Sequence, residues 1–468
     1  MTATPTANPV ELARGRRRLA AVSAAWDVLA LLLVAMHSPG QMSLDTVVAL
    51  YEGVIHRAVG WGPPFMASVL EWLGGGVVGA AVFVALNTAL VLGGFFLVLT
   101  RGADAGHLGR LPAWRFWLAL LLALNPLFLL YVGIVWKDVL LATLAMAAVV
   151  GLWSLERRLD ARRWWLVVLV GLALAALPWA RQQAFLVAFP LWGVLSWLVA
   201  RKQAGRPRRY AAGLAVLLVL ALGHRGIGAA ADATITPLPD SPTGTGVAMV
   251  MAYDLIGIGA RTPGGQPLRD AGADDAVVAA VQDSYSVERI DTTWARPEVK
   301  AFFGDMGREA LPGHWWRAVR AHAGEYLAHR REALGALLGF GSMEGCVAGY
   351  WGVAGIPEHV LHAGLIEEMD PRDRLIGHVT RVLRDTPVLR HWAYLLLLAA
   401  ITLVLLRRRG GEGAPTALAA TLGAWLYFGS YVPTTIACDF RYLYPTAALA
   451  CLVALHLLVT PRGAKVSP

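Results

Sequence analysis

Charge is scarce in this 468-residue chain: 16% of residues are Asp, Glu, Lys or Arg, against about a quarter in a soluble domain. Apolar residues make up 57% and come in long runs, which excludes an ordinary soluble domain. Cysteine is nearly absent. Cys346, Cys438 and Cys451 give neither a metal-binding spacing nor a disulfide framework. Free buried thiols are the favoured reading, with a Cys346–Cys438 bridge as the alternative. Internal repeats and a nucleotide-binding glycine pattern are also missing. The net charge of +9 does not point to nucleic acid, because the basic residues sit in short loops between apolar runs.

What is present is a series of about ten apolar runs, and an all-α polytopic membrane protein is expected. About 20 apolar residues cross a ~30 Å bilayer. The expected spans are 19–36, 76–100, 116–135, 139–155, 164–180, 185–200, 210–222, 392–406, 416–431 and 443–459. The first follows Arg14–Arg18 and reads as an uncleaved helix. Three parts are expected: a core over 1–222 with a first outer loop at 37–75, a mostly helical insert over 223–390, and terminal helices over 391–468. Within the insert, helices are expected over 273–283, 297–311 and 314–338, with a loop over 234–245.

One set of short loops holds nearly all the Arg and Lys; the alternate set holds only Arg57, Lys137, Arg181 and Arg441. Cations concentrate on the cytoplasmic side. Both termini are therefore expected in the cytoplasm, with the first loop and the insert outside.

The exceptional cations are the candidate site. Lys137, Arg181 and Arg441 all fall at the outer edge of the hydrocarbon, where charge is costly unless paired or functional. Together they suit an anionic headgroup such as a lipid-linked phosphate. Local pairs, Lys137 with Asp138 and Arg441 with Asp439, are the plainer alternative. In the first outer loop Asp45 is the candidate carboxylate; as a helix cap it would need no other role. Glu52, His56, Glu71 and His37 are its rivals there.

Ser43-Leu44-Asp45, Trp61-Gly62-Pro63-Pro64, Trp136-Lys137-Asp138, Trp315-Trp316 to Arg331 and Phe440-Arg441-Tyr442-Leu443-Tyr444-Pro445 lie in a layout that resembles the GT-C superfamily of integral-membrane glycosyltransferases. The resemblance covers the membrane core and is architectural. It implies two interfacial helices in the first outer loop and a sugar donor on an outer-leaflet polyprenyl phosphate. Asp45 would be the base that deprotonates an acceptor hydroxyl on a glycan, lipopolysaccharide or protein. Lys137, Asp138, Arg181, Arg441, Tyr442, His56 and Trp61 would bind substrate. Transfer would be an inverting displacement. No Asp-x-Asp stands in the first loop, so neither metal nor cofactor is expected. The implied location is a bacterial inner membrane, with the site facing the periplasm. Competing readings are an outer-leaflet oligosaccharide ligase or polymerase using lipid pyrophosphate, for which Arg225, Arg330, Arg331, His314 and His322 are candidates, and a lipid-linked-sugar flippase.

Overall fold

The computed structural model describes residues 8–60, 63–238, 246–408 and 410–460. The protein is a helical, multi-pass membrane protein. Among the described residues, eight helices are long and apolar enough to cross a bilayer: Pro9–His37, Gly76–Leu99, Ala113–Tyr131, Lys137–Arg157, Gln182–Ala200, Arg206–Thr234, His391–Arg408 and Phe440–Val459. The other two expected spans are also helical. Trp164–Ala180 is apolar but short, and Ala414–Thr434 carries Thr, Ser and Tyr along its length. The seventh run is longer than expected, because its helix continues unbroken to Thr234.

Burial sorts the helices. Lys137–Arg157 and Phe440–Val459 are each 83% buried over their apolar windows and form the centre. Small residues let neighbours approach the first of them closely; Gly151, for example, lies against Val170. Pro9–His37 and Arg206–Thr234 are only 17% buried and stand at the periphery. The arginine-rich loops meet at one end of the bundle, where Arg101 and Arg157 share Glu412, at 2.5 and 2.8 Å.

The loop after the first helix folds into helices Leu44–Ile55 and Phe65–Trp72. Residues 57–58 and 236–237 form a two-residue parallel pair that ties this loop to the start of the insert.

The insert has its own apolar core, built on Tyr253, Leu255, Ile256, Val281, Val299 and neighbours. The three helices expected there run over Asp275–Ser284, Pro297–Ala321 and Ala323–Leu338, beside others that include Gly246–Arg261 and Pro371–Arg384. The expected break near residue 312 lies elsewhere. Gly307, at φ 71°, interrupts the second helix, a conformation cheap only for glycine, and His322 separates it from the third. Asp254, 1% exposed, is held in this core by Arg330 at 2.6 Å and the Trp315 indole at 2.8 Å.

Cys346 and Cys438 are joined in a disulfide, which corrects the free-thiol reading; Cys451 remains a buried thiol. The partners are 92 residues apart in sequence, so only the tertiary fold could bring them together. The bridge closes a long loop and restricts the unfolded chain. Replacing both cysteines by alanine is expected to cost about 2–5 kcal/mol. Unfolding of the full chain in detergent, with and without reductant, checks this: reductant should lower the midpoint of the native protein and leave the double variant unmoved.

Candidate functional site

Lys137 and Arg157 are the two ends of one 21-residue helix, about 30 Å apart at 1.5 Å per residue. The Lys137 end is therefore far from the arginine-rich loops. There the loop after the first helix, the Lys137–Arg157 helix and the first turn of Phe440–Val459 line a cavity of about 530 Å³. Its walls include Asp45, Glu52, Trp136, Lys137, His359 and Arg441.

Asp45 and Arg441 meet across 396 residues of sequence at 2.5 Å. Asp45 lies in the first turn of Leu44–Ile55 and makes no cap; Ser43 holds the N-cap position. Its side chain is 54% exposed. The Arg441 guanidinium, assisted by Lys137, holds its carboxyl down at about 2. Arg441 also contacts Asp439 at 3.2 Å, and Asp439 reaches Arg289 of the insert at 3.5 Å. The Arg441 guanidinium lies 5.0 Å from the Trp136 ring centre and 5.5 Å from that of Tyr442.

Asp138 is fully buried and pairs with Arg181. The sequence alternative, Lys137 with Asp138, is not formed. Arg181 also lies over Tyr442 and Tyr431, at 4.7 and 5.5 Å, and is not on the cavity wall. That leaves Lys137 with no hydrogen bond or salt bridge among the described residues, although it lines the cavity near Asp45, Asp138, Arg181 and Arg441. It also begins its helix, where the dipole disfavours a cation. Four cations, Lys137, Arg181, Arg289 and Arg441, thus stand among four carboxylates, Asp45, Asp138, Asp439 and Asp291, the last paired with Arg289 at 2.9 Å, and Lys137 is the one of these cations without a salt bridge among the described residues.

The other candidates separate. His56 ends the Leu44–Ile55 helix in a left-handed conformation (φ 51°), exposed and off the wall. Trp61 lies outside the described residues. His37 is buried against Gln41 and the Leu129 carbonyl. Arg330 is committed to Asp254 in the insert. Glu52 remains on the wall. Its Oε1 accepts the N–H groups of Val59 and Gly60 at 2.7 and 2.6 Å, and burial pushes its carboxyl up.

Sequence reasoning missed Arg289 and His359. His359 stacks on Tyr51, ring centres 3.9 Å apart, at the wall of the cavity. Neither has a local sequence signal; each is recruited by the way the insert folds back. Among the described residues, no group of three or more His, Cys, Asp or Glu is disposed to hold a metal. No family model matches the chain, and no curated protein or solved structure matches it either.

Proposed function

We propose that this protein is a membrane glycosyltransferase that moves a sugar from a polyprenyl-phosphate donor to an acceptor hydroxyl. The observation that carries this reading is Lys137, a cation that makes no hydrogen bond or salt bridge among the described residues, on the wall of a cavity at one end of a membrane bundle. A donor phosphate would supply the missing anion to Lys137 and Arg441, with charged contacts of about 2.7–2.9 Å. These groups would stabilise the charge that grows on the phosphate as its bond to the sugar breaks. The acceptor oxygen forms the new bond to the anomeric carbon from the opposite face, and the electron pair of the old bond leaves with the phosphate. The acceptor proton passes to Asp45.

Arg441 holds Asp45 in a weakly basic state. Phosphate competes for Arg441 and adds negative charge nearby, and both effects raise the basicity of Asp45. Base strength is thus coupled to donor binding. The disulfide supports an outward-facing site: Cys438 adjoins Asp439, and such bridges persist in oxidising compartments.

The test is lipid extraction and mass measurement on the purified full chain, followed by transfer assays with a polyprenyl-phosphate sugar. The wild type should retain an isoprenoid phosphate, and Lys137→Gln should lose it. A wild-type protein that neither binds such a lipid nor transfers from it would overturn the proposal.

A further inference from the structure

A second cavity, of about 560 Å³, opens between Ala113–Tyr131, His391–Arg408 and the end of the last helix. Its wall is apolar except for Arg115, Arg408 and Asn125. The two arginines stand at the end of the bundle that carries the arginine-rich loops. Arg115 lies 5.2 Å from the ring of Trp114, which is itself 61% exposed, as an interfacial anchor would be. Asn125 closes the far end and donates to the Tyr394 hydroxyl at 3.2 Å.

The dimensions select the occupant. From Arg115 to Asn125 is ten residues, about 15 Å along a helix axis. That is the depth of one leaflet, half of a ~30 Å hydrocarbon core. The groove therefore has a cationic end at headgroup level and an apolar length that stops near the bilayer centre.

We propose that this groove binds one anionic phospholipid, its phosphate between Arg115 and Arg408 and an acyl chain along Leu118, Leu121, Leu397 and Val404. Basic pockets between membrane helices take anionic headgroups in this way. The site stands apart from the Lys137 cavity, at the opposite end of the bundle, and does not depend on what that cavity does.

The probes are phosphatidylglycerol and phosphatidylcholine, added to the delipidated full-length protein in detergent. Bound lipid is counted by native mass spectrometry, and thermal unfolding is followed in parallel. Wild type should hold one phosphatidylglycerol and unfold at a higher temperature with it, with little response to phosphatidylcholine. Arg115→Gln combined with Arg408→Gln should weaken binding about thirtyfold, the effect of removing two interfacial charges. Leu121→Trp, which fills the groove and keeps both arginines, should also reduce occupancy. Equal binding of both lipids, or full phosphatidylglycerol retention by either folded variant, would overturn the assignment. If the double variant does not fold, Leu121→Trp decides the case alone.

Discussion

Asp45→Asn is expected to lower sugar transfer by roughly a hundred- to ten-thousand-fold, the range for loss of acid–base catalysis, while the protein still folds and binds its donor. The substitution keeps the shape of the side chain and removes its charge. Arg441 is not stranded by it, because Asp439 remains at 3.2 Å. A transfer assay with a polyprenyl-phosphate sugar, beside a binding assay for the same lipid, reads both outcomes. Undiminished transfer would move the base to Glu52, which lines the same cavity and has the more basic carboxyl of the two. Loss of folding would make Asp45 a structural anchor for Arg441.

The same residue sets a pH signature. Its carboxyl is held at about 2 in the folded protein, below the ordinary 3.8. A depressed carboxyl stabilises the fold above its unfolded value and loses that contribution as pH falls through the folded one. Any stability advantage of wild type over Asp45→Asn should be complete above about pH 4 and fade toward about pH 2. Donor phosphate should raise the carboxyl, so the acid limb of kcat should lie at higher pH than that of kcat/KM.

Arg181→Met is expected to destabilise the protein by about 3–5 kcal/mol, because it leaves a buried charge without its partner. Asp138 is fully buried, and its second carboxylate oxygen has no hydrogen-bond partner among the described residues. Arg181→Lys should fall between wild type and Arg181→Met. It keeps the charge but loses the planar fork and the stacking over Tyr442 and Tyr431. Adding Asp138→Leu to Arg181→Met should recover most of the loss, since an apolar pair of similar size avoids the desolvation penalty. Unfolding in detergent measures all four proteins. A double variant as unstable as Arg181→Met would show that the pair itself is not the cause. Arg181 thus acts first on the fold, and its effect on a donor phosphate would pass through the Asp138 pair and Tyr442.

The sequence by itself determined that the chain is a series of membrane helices, though not where each one stops: the seventh continues to Thr234 and the insert's helix runs through residue 312. Apolar runs of bilayer length must satisfy their backbone internally, and helix is the form that does so within one segment. It also determined that Lys137, Arg181 and Arg441 stand out, since each breaks the charge bias of its loop. Which partner each charge takes was decided by the tertiary structure. Lys137 and Asp138 are neighbours in sequence, but adjacent residues on a helix point in different directions. Asp138 turns inward to Arg181, and Lys137 turns to the cavity. Arg441 does take nearby Asp439, and it also takes Asp45 from the far end of the chain. Arg289 and Cys346 reach the same region only because the insert folds back over it. An ion pair or a disulfide depends on distances of a few ångströms. Over hundreds of residues those distances are fixed by packing, and no local pattern of residues records them.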